Sequence, residues 1–191
     1  MKIFLFFLAL VVHPVSLLAQ PKYPQPDTLF KICLDETEEP TGNLFQTCGY
    51  VNRQGDTVIV PGTYAGIMGD DFVYFVPVFM KSTVENERLS MQGPYAVDRE
   101  GKILFKMYWF DNGPDYFSDG LVRIVENDLI GYADETGKIV IPPQYGCAYP
   151  FENGRAQVGY DCDKVWMDDE HWSWATEQWL TIDKQGRVVQ E

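Results

Sequence analysis

Short runs of alternating hydrophobic and polar residues fill most of this chain, and one turn motif cuts them four times. It reads Asn52-Arg53-Gln54-Gly55, Asp98-Arg99-Glu100-Gly101, Asp134-Glu135-Thr136-Gly137 and Asp183-Lys184-Gln185-Gly186. A side-chain oxygen at the first place accepts a hydrogen bond from the backbone two residues on, which favours a type I turn. Glycine at the fourth takes positive φ without steric cost and closes a hairpin through a bulge. Before the turns stand Tyr50-Val51, Tyr95-Ala96-Val97, Tyr132-Ala133 and Leu180-Thr181-Ile182; after them stand Val58-Ile59-Val60, Ile103-Leu104-Phe105, Ile139-Val140-Ile141 and Val188-Val189. These residues suit a pleated, buried surface, so each copy is expected to be a β-hairpin.

A second block extends two copies. Phe117-Ser118-Asp119-Gly120-Leu121-Val122-Arg123-Ile124 matches Phe151-Glu152-Asn153-Gly154-Arg155-Ala156-Gln157-Val158 in character at each position. Alternation puts Val122 and Ile124, or Ala156 and Val158, on one face and Arg123 or Gln157 on the other, as in a third strand. Pro142, Pro143 and Tyr145 echo Pro61 and Tyr64, and proline is expected to end strand pairing there. The turn glycines are unevenly spaced, which predicts insertions at 82–92 and 160–178; the polar stretch Ser82 to Met91 suits a short helix or a loop. The expected fold is all-β, with tandem β-hairpin, three-stranded units forming a curved or solenoid-like antiparallel array.

These units resemble the WG-repeat family, whose copies run Trp-Gly, strand, Asp-x-x-Gly, Ile/Val-rich strand, Pro and Tyr, then Phe-x-x-Gly. The best match is Ile130-Gly131-Tyr132-Ala133-Asp134-Glu135-Thr136-Gly137-Lys138-Ile139-Val140-Ile141-Pro142, followed by Tyr145 and by Phe151 to Gly154. The likeness covers residues 49 to 191 and is strongest in the third copy. The signature dipeptide is nowhere intact: Gly49 and Gly131 keep its glycine, and Trp179 its tryptophan. The resemblance implies a binding or scaffold-like module without a shared catalytic site.

The start of the chain changes the picture of its address. Lys2 followed by the apolar run Ile3 to Val12, with Leu17, Leu18 and Ala19 before Gln20, reads as a signal peptide over 1–19. Residues 20–42 then read as an extended leader and an acidic loop (Asp35 to Gly42), and 43–191 as the repeat domain. With 28 acidic against 15 basic residues and a net charge of −13, nucleic acid and anionic membrane surfaces are disfavoured as partners. No membrane span is expected after signal cleavage. Cys33, Cys48, Cys147 and Cys162 all follow the signal, and an even count in an oxidising compartment predicts two disulfides. Three connectivities exist; equal separations within Cys33/Cys48 and Cys147/Cys162 favour the local one.

Candidate chemistry is sparse. His171 is the single histidine after the signal, and no G-x-S-x-G, H-E-x-x-H or P-loop motif is present, so no enzyme and no cofactor are expected. Paired carboxylates for glycoside hydrolysis are available only through sheer abundance. No metal site is expected either. Asp161 and Asp163 with Asp168, Asp169 and Glu170 offer oxygen ligands for calcium, yet the segment lacks an EF-hand glycine. The distinctive feature is Trp166, Trp172, Trp174 and Trp179 beside Asp163. Such rings either stack on a ligand, sugars above all, or seal the end of the sheet, and sealing is the commoner use. The expected function is an exported, non-enzymatic module that binds a protein or cell-envelope component. The alternative is carbohydrate binding by the tryptophan-rich insertion.

Overall fold

Each Asx-x-x-Gly turn closes with the same hydrogen bonds. The glycine N–H donates to the carbonyl of the first residue at 2.8–3.1 Å in all four copies. The Asx Oδ1 accepts from the backbone N–H groups two and four residues on: Gln54 and Asp56 to Asn52, Glu100 and Lys102 to Asp98, Thr136 and Lys138 to Asp134, Gln185 and Arg187 to Asp183. The four glycines have φ between 77° and 89°, a region closed to most side chains.

The computed structural model describes residues 26–34, 47–81, 92–110, 112–169 and 171–189. The expected signal peptide, the acidic loop over 35–42 and the stretch 82–91 lie outside them. Strand β1 (Phe30–Cys33) precedes the first copy, which supplies β2 (Cys48–Val51), β3 (Thr57–Ile59), β4 (Gly66–Ile67) and β5 (Phe75–Met80). The second copy supplies β6 (Gln92–Asp98), β7 (Ile103–Met107), β8 (Trp109–Phe110), β9 (Gly113–Pro114) and β10 (Leu121–Glu126). The third supplies β11 (Leu129–Asp134), β12 (Ile139–Tyr145), β13 (Cys147–Ala148) and β14 (Arg155–Gly159). A ribbon of β15 (Asp163–Trp166) and β16 (Trp172–Ala175) leads to β17 (Leu180–Asp183), whose hairpin is completed by a single bridge from Ile182 to Val188.

The protein is all-β. A seven-stranded antiparallel sheet, β12-β11-β10-β7-β6-β5-β4, lies between three-stranded sheets β1-β2-β3 and β13-β14-β17, and among the described residues none closes on itself. The hairpin register repeats, with Tyr50 opposite Ile59, Ala96 opposite Phe105 and Tyr132 opposite Ile141, each pair followed by the same bulge. The third strand of each copy pairs with the first strand of the next: β5 with β6, β10 with β11, β14 with β17. Turns also lean on the copy before. A Cβ on Gly101 would stand 3.5 Å from Tyr64 Oη, one on Gly137 2.6 Å from Leu104, one on Gly186 3.4 Å from Ile141, whereas Gly55 in the first copy has nothing within 4 Å.

Packing repeats as well. Tyr50 meets Phe72 edge-on with centroids 4.7 Å apart, and Tyr132 meets Phe151 at 4.7 Å. Their hydroxyls donate to backbone carbonyls, Tyr50 to Asp70 at 2.9 Å and Tyr132 to Tyr149 at 2.7 Å, so these buried rings leave no polar atom unpaired. Burial pushes both phenol pKa values up. Each ring contributes about 2–3 kcal/mol through apolar burial. Beside them, Gly49 and Gly131 have no room for a side chain: a Cβ would lie 2.3 Å from the Ile59 carbonyl and 2.5 Å from that of Ile141. Close approach to the partner backbone therefore explains the glycine of the repeat signature.

Two disulfides tie strands at the first and third copies. Cys33–Cys48 joins directly opposed residues of β1 and β2, and Cys147–Cys162 ties β13 to the segment after β14. Each closes a separation of 15 residues, which stabilises by about 3 kcal/mol if chain entropy dominates. One expectation is corrected. Pro142 and Pro143 do not end pairing, because β12 runs through them to Tyr145, opposite Ile130, with the extra residues taken up in a bulge. This works because β12 is an edge strand, where missing N–H donors cost nothing.

Gly131→Ala should lower unfolding free energy by about 2 kcal/mol or more through overpacking against backbone, whereas Gly55→Ala should cost only about 1 kcal/mol of φ strain; urea denaturation measures both. Asp134 supplies a pH test. Burial raises its pKa, but hydrogen bonds from the Thr136 hydroxyl and the Lys138 and Thr136 amides outweigh this and hold it below 3.8. The folded state thus favours the carboxylate, and that stability is present above pH 3.8 and fades as pH falls through the lowered value. Asp134→Asn, closing the turn as Asn52 does, should fold at neutral pH and lose less stability than wild type over that acid window.

Candidate functional site

The Phe-x-x-Gly blocks form two-residue turns in which both central residues have positive φ: Asp119 (55°) with Gly120, and Asn153 (52°) with Gly154. Asp and Asn tolerate this conformation better than other side-chain-bearing residues. The two turns are joined, since the Ser118 hydroxyl donates to the Phe151 carbonyl at 2.6 Å and the Gly154 N–H to Asp119 Oδ2 at 2.5 Å. Strands β10 and β14 therefore start from one fixed frame.

On β10 the face opposite Val122 and Ile124 is not polar surface. Arg123 is 2 % exposed and Asp115 4 %. The guanidinium donates through Nε at 2.9 Å and Nη2 at 2.8 Å to the two Asp115 oxygens, and through Nη1 at 3.0 Å to the Ala148 carbonyl of the next copy. Asp115 also accepts from the Arg123 backbone N–H at 3.0 Å. The Tyr108 ring centroid lies 4.3 Å from the guanidinium carbon and that of Phe110 5.2 Å. Burial raises the Tyr108 pKa, with the Arg123 charge and a hydrogen bond from Trp174 acting the other way.

Gln157 occupies on β14 the place that Arg123 holds on β10, yet it is exposed. It lines an open groove of about 810 Å³ with Tyr116, Tyr149, Glu152, Arg155, Trp174, Trp179 and Thr181. Phe151 and Ala156, both buried, form its floor. Tyr116 is 59 % exposed and Tyr149 38 %. Tyr149 and Trp179 sit with centroids 5.3 Å apart and planes tilted by 36°. Backbone bonds fix this wall: the Tyr149 N–H donates to Gln157, and its carbonyl accepts from buried Tyr132.

The structure divides the four tryptophans singled out in the sequence. Trp174 and Trp179 line the groove, and Trp174 also packs on the core beside Ile182 and Val158. Trp172 touches Trp174 edge-on at 4.8 Å, with Lys164 Nζ 4.4 Å from its centroid. Trp166 pairs opposite Trp172 on the ribbon and is 61 % exposed. Asp163 faces a separate opening with Asp161, Thr176 and Glu177. His171 Nδ1 lies 2.8 Å from Asp168 Oδ1. Among the described residues no group of three or more His, Cys, Asp or Glu is placed to hold a metal ion, and no helix is long and apolar enough to cross a membrane. Sequence reasoning missed Tyr116, Tyr149, Glu152, Arg155 and Gln157 as groove residues; its one available clue was the change from Arg123 to Gln157 at matched positions.

Removing one partner of the buried pair leaves an uncompensated charge. Arg123→Met alone should therefore destabilise by about 3–5 kcal/mol, and adding Asp115→Leu should restore much of that loss, as measured by denaturant unfolding.

Residues 130–161 match the family model described as WG containing repeat. No curated protein and no solved structure matches the chain. The matched stretch spans β11 to β14, from the glycine pressed on its partner backbone to the strand that walls the groove. Over residues 130–161, a stretch whose register recurs in the neighbouring copies, the chain carries a repeat of the WG type.

Proposed function

We propose that this protein is an exported, non-enzymatic binding module in which the repeats are scaffold and the groove beside β14 is the ligand-facing surface. The observation that carries the proposal is the groove itself: aromatic rings left partly or largely exposed on a frame whose buried side-chain polar atoms, among the described residues, all have hydrogen-bond partners. Its volume falls within the roughly 300–1,000 Å³ typical of small-ligand sites. Two disulfides favour an oxidising compartment and agree with export of a chain that begins with a signal-like segment. The groove's charged side chains, Glu152 and Arg155, are suited to orienting a ligand, and His171 stands apart at Asp168.

The test is retention of soluble cell-envelope fractions, protein and polysaccharide separately, on immobilised protein carrying both disulfides. Wild type should retain material that a Tyr149→Ala/Trp179→Ala variant releases. Equal retention by the two proteins would remove the groove from the proposal.

A further inference from the structure

We infer that the groove takes a neutral oligosaccharide, an inference that rests on the binding reading above and names its ligand class. A pyranose presents an apolar C–H face and an edge of hydroxyls, each both donor and acceptor. The groove offers the complement of both. Tyr116, Tyr149 and Trp179 supply flat apolar rings, and Glu152, Arg155 and Gln157 supply, in order, an acceptor, a fork of donors and an amide with both.

Charge selects among glycans. One carboxylate and one guanidinium leave the groove close to neutral, and the chain as a whole carries −13. A uronate-rich or sulfated polymer would approach a repelling field with one cation to receive it. A proline-rich peptide is the other occupant that stacks on aromatic walls. It lacks N–H donors at its prolines, so it offers Glu152 fewer hydrogen-bond donors than a row of hydroxyls does. Hydroxyls satisfy that carboxylate.

The geometry also separates groove tryptophans from decorative ones. Trp172 has Lys164 over its ring and the edge of Trp174 against it, and Trp166 lies outside the groove lining. Recognition therefore uses Trp179 with two tyrosines rather than the whole tryptophan-rich insertion.

The experiment is calorimetric and fluorescence titration of the disulfide-intact protein with neutral gluco-, manno- and xylo-oligosaccharides, with an oligogalacturonate and with a proline-rich peptide. At least one neutral series should bind, more tightly with length. Trp179→Ala and the exposed-site variants Tyr116→Ala and Gln157→Ala should each weaken it, the tryptophan change by about tenfold or more, while Trp166→Ala leaves it unchanged. Circular dichroism and melting temperature on each variant separate lost contacts from lost fold, and Gln157→Ala, at an exposed position, keeps the test available if Trp179→Ala unfolds. Preference for the charged glycan or the peptide would overturn the sugar assignment, as would loss on Trp166→Ala alone. If no oligosaccharide binds but envelope protein is still retained through the groove, the ligand class fails and the binding reading stands; if nothing is retained, both fail.

Discussion

No copy in this protein completes a sheet alone, because the first strand of each hairpin takes a neighbour from upstream, β1 for the first copy and the copy before for the other three. Strand β5 covers β6, β10 covers β11 and β14 covers β17. Backbone N–H and C=O groups on an uncovered strand would face solvent or stay unpaired, so the copies are coupled through hydrogen bonds as well as side chains. The turn glycines reinforce the coupling, since Gly101, Gly137 and Gly186 each lie against a side chain of the preceding copy. Order along the chain thus becomes order in space. Three core clusters follow one another accordingly: one around Tyr50, a middle one around Phe105 and Ile124, and one around Tyr132 and Phe151.

Insertions fall at one joint of this scheme. Between β10 and β11 the joint is the two-residue turn Asn127-Asp128, with φ of 51° and 63°. Between β14 and β17 the same joint holds the β15-β16 ribbon, and between β5 and β6 it holds 82–91. Lengthening a loop there leaves the strand pairing intact and costs little closure entropy, whereas lengthening the Asx-x-x-Gly turn would break a hydrogen-bond set shared by all four copies. Cys162 lies just inside the long joint, so its bond to Cys147 holds the ribbon's base to β13.

Local chemistry made the hairpins legible in the sequence: an Asx oxygen and a glycine three places apart determine the turn whatever surrounds them. Equal cysteine separations carried the disulfide pairing for a similar reason, as each pair lies within or beside one copy. Arg123 was not legible. Alternation correctly set it opposite Val122 and Ile124, but only the arrival of Ala148, Tyr108 and Phe110 from elsewhere makes that second face interior. Pro142 and Pro143 failed as stop signals because edge position, a property of the whole sheet, decides what proline costs. The groove was invisible for the same reason, since its walls come from residues as far apart as Tyr116 and Thr181.

Comparing Arg123 with Gln157 explains why a groove exists at all. The two residues are equivalent in successive copies, each on the face opposite the hydrophobic pair. At the interior copy, the following unit and the 108–116 segment close over that face, and an arginine there needs Asp115 to be tolerated out of water. At β14 the unit alongside is the fourth hairpin, which among the described residues is completed by a single bridge from Ile182 to Val188. Trp174 and Trp179 cover part of it, and the remainder stays open beside Gln157 and Tyr149. Where the neighbouring unit covers a strand face only in part, a concavity remains, and side chains that would have been core become the lining of a site.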